Sequence, residues 1–361
     1  MKKALIVLLI LAVAGGLFAQ EVSWTGEVDT GIRIDIKDDN PVKGDDDDGH
    51  AVKYSLGATY DADDWGLKIA GGGKNTGGYA MAFDNAYGWM FLSDKLLKLS
   101  AGKIDDAAWG NGGETDTDVD TGPGIRLEVL PIDGLSVGAF FTYPAPAKGA
   151  EKPDGVSAGK LSNFFQQTAF GFKYGADTFT VDAALRLFSE EDAYTTTNDT
   201  DAKFIFGFGF TGIQSLAVYV DGVFDHVLKM SDVGEEEIWE SVKFTGIDNL
   251  GLKLTLGEGF VKSFELDWFK AKVAIDYAVS DTTSVGVDGN GKMAKNAKDD
   301  LAFASWGFDV WGKYELGGAW VKGILGVDGY TKDYLKPATS TGFDDPDSTA
   351  PYVRVLFGYS F

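Results

Sequence analysis

The chain has 361 residues, with 32 Lys and Arg against 55 Asp and Glu, which gives a formal net charge of −23. So acidic a surface repels nucleic acid and favours cations near the protein. The sequence contains no Cys, which excludes disulfides, thiol nucleophiles, thiolate metal sites and lipid-modified cysteines. Its 48 Gly and its 13% of aromatic residues are also unlike a disordered chain, because disordered chains are poor in aromatics.

The first predicted element is an export signal at the N-terminus. Two lysines precede an apolar run at residues 4–18, and Ala19 supplies a small residue for cleavage. The run is shorter than the roughly 20 apolar residues of a membrane-spanning helix. The pattern therefore predicts a secretory signal peptide at residues 1–19 and a mature domain at residues 20–361.

Alternation with period two then dominates the chain. Between residues 22 and 37, one face carries mainly Val, Ile and Trp, and the other face carries mainly polar residues. Residues 52–61 and 270–279 show the same alternation. Such a pattern indicates strands and is inconsistent with the apolar stripe of a helix. No segment of the mature domain has a convincing helical pattern.

Two kinds of connection alternate between the predicted strands. Short turns are predicted at residues 62–64, 93–95, 131–134, 175–177, 213–215, 247–249, 268–269 and 315–318. Long, mostly acidic loops are predicted at residues 38–50, 105–121, 144–162, 189–201, 227–238, 280–300 and 331–349, and tighter connections at 74–78 and 257–259 complete that series. These connections predict eighteen strands. Sixteen strands is the alternative, because the predicted strands between Ile238 and Trp268 are short.

The strands predict a closed antiparallel up-and-down transmembrane β-barrel, with short periplasmic turns and long acidic outer loops. A soluble sandwich is the alternative architecture. However, predicted strands of ten to fourteen residues are longer than the five or six usual in soluble sheets. Ten tilted residues cover about 25 Å, the height of an outer-membrane apolar band. The asymmetry of connection length is also typical of membrane barrels, and closure removes the open edges of so large a sheet.

The last ten residues, YVRVLFGYSF, form one further strand pattern. Its apolar face carries Val353, Val355, Phe357, Tyr359 and Phe361. This pattern resembles the terminal strand of bacterial outer-membrane β-barrel proteins. The resemblance is to the class as a whole, and the length of the mature domain is similar to that of porins. It implies location in the outer membrane of a diderm bacterium, contact with outer-membrane lipid, and recognition of the terminal strand by the barrel-assembly machinery.

The polar faces of the strands predict a water-filled interior of mixed charge, because unpaired charges cannot be buried dry. The basic candidates for the pore wall are Arg33, Lys53, Lys68, Arg126, Arg186, Lys253, Lys272, Lys322 and Arg354. The acidic candidates are Glu27, Asp35, Glu128, Asp182, Asp221, Asp276 and Asp309. Each residue has the alternative role of solvating the wall or pairing with a neighbour. A barrel of this size holds an aqueous channel, so we predict passive diffusion of small hydrophilic solutes.

The third outer loop, at residues 105–122 and counted with the tighter connection at 74–78, has six acidic residues and no basic one. In the porins that the chain resembles, this loop folds into the barrel and narrows it. The resemblance therefore implies a preference for cations and an acidic constriction opposite a basic wall, formed by Glu114, Asp116, Asp118 and Asp120. The alternative is an exposed acidic loop, since no further porin motif is found within it.

The remaining motifs do not define a site. Residues 44–49 and 288–291 offer carboxylates to Ca²⁺ but lack the full ligand spacing, so no metal or cofactor is predicted. Asp225 and His226 resemble a pair at the rim of outer-membrane proteases, but one pair is insufficient, and we predict no enzymatic activity.

The competing function is a surface adhesin or structural barrel that acts through its outer loops. The sequence leaves the solute, the pore size and any homo-oligomer open.

Overall fold

The computed structural model describes residues 22–36, 42–44, 52–74, 82–110, 119–142, 168–189, 200–229, 235–261, 264–295, 300–330 and 349–360. The predicted signal peptide and Phe361 lie outside these residues. Among the residues described, no helix is long and apolar enough to cross a membrane.

The described chain is built from strands, with one 3₁₀ turn at Val227–Lys229. The strands are β1 (Val22–Asp35), β2 (Val42–Gly44), β3 (Val52–Asp61), β4 (Trp65–Lys74), β5 (Ala82–Leu92), β6 (Leu97–Ile104), β7 (Gly122–Val129), β8 (Leu135–Thr142), β9 (Thr168–Gly175), β10 (Phe179–Ser189), β11 (Thr200–Ile213), β12 (Leu216–Asp225), β13 (Glu235–Ile247), β14 (Leu250–Val261), β15 (Glu265–Ser280), β16 (Thr283–Lys295), β17 (Leu301–Leu316), β18 (Ala319–Tyr330) and β19 (Thr349–Ser360).

The strands form one closed antiparallel sheet. From β3 to β19, each strand pairs with the next one along the chain, and β19 pairs with β1 in continuous register from Glu27 to Asp35. The short β2 and the longer β3 both pair with the other edge of β1, so they share one position in the wall. The molecule is therefore an eighteen-stranded up-and-down β-barrel, which confirms the predicted fold and strand number.

The outer face of the barrel is apolar and the inner face is polar. On β1, Trp24, Val28 and Ile32 point outward and are 39–49% exposed, whereas Asp29 and Asp35 point inward and are buried. The same division holds on β19, where the outward row includes Val355, Phe357 and Tyr359. An apolar exterior on a sheet without open edges is the surface that lipid requires.

Carboxylates interrupt the outward face of β13 and β14. Glu236, Glu240 and Glu258 lie there, in register with outward apolar residues of the neighbouring strands. All three are in the halves of these strands that lie away from the short turn at residues 248–249. A charge on the lipid-facing surface costs least near the membrane interface, so this position limits the cost of exposing Glu240 and Glu258, whereas Glu236 is fully buried.

Three connections predicted between residues 257 and 300 are wrong, although the total is right. Residues 257–259 lie within β14 and residues 268–269 lie within β15. The predicted loop at 280–300 is instead a turn at residues 281–282 followed by β16. The sequence of β16, TSVGVDGNGKMAK, explains this error, because its outward face includes Gly289 and Gly291. Two glycines weaken the apolar half of the alternation.

Candidate functional site

The third outer segment, which connects β6 to β7 and is described at residues 105–110 and 119–121, enters the barrel. Trp109 and Val119 are fully buried. They pack in one cluster against side chains on the lumenal faces of β8 to β12: Phe140, Ala169, Ala184, Ile205 and Val223. We call the lumenal face of β7 to β12, on which this segment lies, the covered wall.

Glycines in the covered wall make room for Trp109. A Cβ atom on Gly171 would lie 2.5 Å from the indole ring, and one on Gly138 would lie 2.9 Å from it. The ring therefore lies directly against the backbone of β8 and β9. Its Nε1 donates a hydrogen bond to Ser136 Oγ at 3.1 Å, so the polar edge of the indole is also satisfied.

Two arginines fix the segment to the wall by charge. Arg126 Nη1 donates to Asp120 Oδ2 at 3.0 Å and to the carbonyl oxygen of Asp106 at 2.7 Å. Asp120 Oδ2 also accepts from the backbone N–H of Ala108 at 2.7 Å. Arg186 Nη1 donates to the carbonyl oxygen of Val119 at 3.2 Å. Two residues predicted for the pore wall, Arg126 and Arg186, therefore hold the segment.

Asp106 forms a second attachment, which the sequence analysis did not single out. Its carboxylate accepts hydrogen bonds from Lys68 Nζ at 2.7 Å and from Tyr87 Oη at 2.8 Å. A longer bond of 3.3 Å comes from Asn85 Nδ2. Burial by itself would raise the pKa of Asp106, but these hydrogen bonds and the Lys68 charge lower that pKa overall. The carboxylate is thus held ionised beside Lys68.

The four residues predicted to form the constriction are only partly described. Glu114, Asp116 and Asp118 lie outside the described residues. Asp120 is fully buried between the segment and the wall. Its carboxylate therefore serves as an attachment point.

The opposite side of the lumen carries pairs of lysine and tryptophan. We call the lumenal face of β13 to β19 the lysine–tryptophan wall. The distances from Nζ to the ring centroid are 4.9 Å for Lys272 and Trp239, 4.8 Å for Lys292 and Trp268, 4.9 Å for Lys322 and Trp311, and 5.1 Å for Lys313 and Trp320. Each distance is within the range of a cation–π interaction. The wall therefore presents ammonium groups and aromatic rings together.

An ion-pair network joins this wall to β1. Arg33 contacts Asp35 at 2.7 Å and Asp328 at 3.2 Å, and its guanidinium carbon lies 3.9 Å from the centroid of the Tyr352 ring. Tyr352 Oη donates to Asp309 Oδ1 at 2.6 Å. The predicted residues Arg33 and Asp309 are thus linked through one tyrosine.

The other predicted wall residues also face the lumen by register. Lys53 lies opposite the buried Asp29, and Arg354 lies opposite Arg33. Lys253 lies on the same face of β14 as Thr255, and Thr255 is paired with the inward Lys272 of β15. All sixteen charged residues predicted for the pore wall are therefore on inward faces. Whether they contact a moving solute stays a prediction.

The histidine at the rim has a structural partner. His226 Nδ1 lies 2.9 Å from Asp201 Oδ2, and Asp201 Oδ1 accepts from the backbone N–H groups of Ala202 and Leu228. Asp225, its neighbour in sequence, pairs with Lys203 at 2.9 Å. These contacts tie the 3₁₀ turn to β11. Within the described ranges, no group of three or more metal-binding side chains comes together.

Comparisons with known proteins agree with the geometry. No family model and no curated protein matches the chain. Among solved structures, OmpT, an outer membrane protein of Vibrio cholerae in trimer form, has a TM-score of 0.53 at 17% identity and covers 94% of this chain and 99% of its own. OccAB4 of Acinetobacter baumannii has a TM-score of 0.56 at 12% identity, covering 95% and 98%. A triple mutant of the Rhodopseudomonas blastica porin has a TM-score of 0.52 at 11% identity, covering 94% and 100%.

This chain has the fold of the bacterial outer-membrane β-barrels. At these identities the likeness concerns the fold. Together with the apolar exterior, the fold places the chain in an outer membrane. The activity has to be argued from the lumen.

Proposed function

We propose that the chain is a porin-like channel for passive diffusion of small hydrophilic solutes, that it prefers cations, and that it is not an enzyme. The entry of the third outer segment into the barrel is the observation that supports this proposal most strongly. Trp109 and Arg126 hold the segment against the covered wall. In the described part of the chain, the cluster that packs on this wall contains no residue of the lysine–tryptophan wall. The segment therefore narrows the lumen from one side.

The cation preference rests on the acidic stretch within that segment. Glu114, Asp116 and Asp118 belong to the sequence between Gly110 and Val119, and both of these flanking residues are buried on the covered wall. The proposal assigns the three carboxylates to the narrowed passage, where negative charge concentrates cations. Asp120 is not part of this group, because its charge is matched by Arg126.

Conductance of the refolded protein in a planar bilayer tests the channel. We expect stable stepwise openings, and in a KCl gradient we expect a reversal potential on the cation-selective side. The triple substitution Glu114→Gln, Asp116→Asn and Asp118→Asn should move that potential toward zero. The matched control is Asp45→Asn, Asp46→Asn and Asp47→Asn, which removes the same charge from the connection between β2 and β3.

Each part of the proposal fails separately in this experiment. A folded barrel without openings would favour the adhesin or structural barrel. An unchanged reversal potential in the first triple variant would remove the cation preference. An equal shift in both triple variants would assign selectivity to the overall charge of the outer loops.

We also propose that β19 carries the assembly signal. Its outward row of Val353, Val355, Phe357 and Tyr359 pairs in register with β18 and with β1, and so lies at the junction that closes the barrel. The proposal is supported by this position and by the alternation of apolar residues along the strand.

A further inference from the structure

Three lysines lie together on the lysine–tryptophan wall. Lys270 on β15 is directly opposite Lys292 on β16, and Lys272 is the next inward residue on β15. Like charges directly opposite each other destabilise a sheet. Within the part of the chain that the structure describes, none of these ammonium groups forms an ion pair with a carboxylate. Their positive charges are therefore not matched by ion pairs with any described residue.

Two tryptophans complete this cluster. The ring centroids of Trp239 and Trp268 are 5.6 Å apart at an interplanar angle of 52°. Lys272 and Lys292 lie over these two rings, respectively. We call the five residues, Lys270, Lys272, Lys292, Trp239 and Trp268, the outer cluster, since they lie in the halves of the strands away from the short turns at residues 248–249 and 281–282.

Two glycines of β14 leave room for both rings to lie against its backbone. A Cβ atom on Gly257 would lie 2.6 Å from the Trp239 ring, and one on Gly259 would lie 2.0 Å from Nε1 of Trp268. The rings therefore lie close along the wall, next to the ammonium groups. A carboxylate flanks the cluster on one side, because Trp239 Nε1 donates to Glu237 Oε2 at 3.2 Å. The positive charge is thus concentrated toward β15 and β16.

We propose that the outer cluster is a binding site for small anions that carry a planar ring, with aromatic carboxylates as the ligand class, and that it is separate from the acidic segment to which the cation preference is assigned. This inference rests on the proposed channel function, because the ligand reaches the cluster through the lumen. A carboxylate among the three ammonium groups offsets their mutual repulsion. The ring of the same solute packs on the indoles, which adds affinity that a small anion such as acetate does not gain. The pairs Lys322–Trp311 and Lys313–Trp320 repeat this combination nearer the periplasmic turns.

The test uses the refolded full barrel in a planar bilayer, with benzoate as the probe. We expect benzoate to reduce the KCl current in a saturable manner, and acetate or benzylammonium at the same concentration to reduce it far less. The double variant Lys270→Gln and Lys292→Gln should weaken the apparent affinity for benzoate by about tenfold or more. Trp268→Leu should weaken it by about fivefold.

A matched control separates the cluster from the general charge of the lumen. Lys243 lies on the same inward face as Trp239 but contacts neither ring, so Lys243→Gln should leave the affinity for benzoate unchanged. Quenching of tryptophan fluorescence by benzoate in detergent provides a second readout that does not depend on current. Heat-modifiable migration on a gel shows whether each variant is folded.

The outcomes distinguish this inference from the channel on which it rests. A conducting barrel that benzoate does not block overturns the inference and leaves the channel standing. Equal block by acetate, or unchanged block and quenching in the double variant, also overturns it. A folded barrel that does not conduct overturns the proposed function, and the inference falls with it.

Discussion

On the covered wall, Arg126 is 3% exposed and binds Asp120, which is fully buried. On the lysine–tryptophan wall, Lys272 lies over Trp239, is partly exposed, and forms no ion pair among the described residues. Both cations alternate on inward strand faces, and the sequence assigned them the same role. A buried charge must be matched within the protein, whereas a charge that water reaches remains available to a solute. The covered wall thus holds a segment, whereas the lysine–tryptophan wall leaves its cations open to the lumen.

Truncation of Trp109, the main apolar contact of the segment with the covered wall, should give the largest difference between the two walls. Trp109→Ala takes away the ring that fills the space over Gly138 and Gly171, and truncation of a buried tryptophan costs about 3–5 kcal/mol. We expect the third outer segment to leave the covered wall and the single-channel conductance to rise. Trp320→Ala removes an equal side chain from the opposite wall and should raise conductance much less. Equal increases in the two variants would show that the segment does not narrow the lumen.

The two arginines should differ in their effect on stability. Arg126→Gln removes the cation that binds the buried Asp120 and one of the two cations beside Glu128, the other being Lys98, which costs about 3 kcal/mol or more. Arg33→Gln removes a partly exposed pair with Asp35 and Asp328, for which about 1 kcal/mol is typical. Urea denaturation of the refolded barrels measures both losses. A loss from Arg33→Gln as large as that from Arg126→Gln would mean that Arg33, on β1 beside the lysine–tryptophan wall, is as closed to water as Arg126.

Much of the fold could be predicted from the sequence because a barrel wall has strict alternation. The short turns other than the one at 268–269 were predicted within two residues of their observed positions, and every basic residue assigned to the lumen faces it. The strand prediction failed where the outward face carries few apolar side chains. In β16, Gly289 and Gly291 stand at outward positions, so the strand resembles a polar loop. The missed strand was offset by the turn wrongly placed at residues 268–269 in β15, which kept the count correct.

The site was less predictable, because alternation does not determine what covers a face. The pattern put Arg126 and Lys272 inside the barrel, but only the packed segment shows that Arg126 is buried. One signal was available. Trp109 is a large apolar residue in an otherwise acidic, glycine-rich loop, and burial of such a side chain is energetically favourable. Asp106 gave no comparable signal, since its partners Lys68, Asn85 and Tyr87 lie on other strands.

Acid should have the smallest effect, by loosening the attachment of Asp106 to β4 and β5. Since the pKa of this carboxyl is lowered in the folded protein, its stabilising contribution is complete above its unfolded pKa of about 3.9 and is lost as pH falls through the lower folded value. We expect open-channel current noise in the wild type to stay constant from about pH 7 to pH 5 and to rise below about pH 4. Asp106→Asn should be noisier at neutral pH and should lose that acid-dependent step, whereas Asp105→Asn, next to it and exposed, should behave as the wild type does. If the difference between wild type and Asp106→Asn persisted unchanged to pH 2, the ion pair with Lys68 would not be what holds this end of the segment.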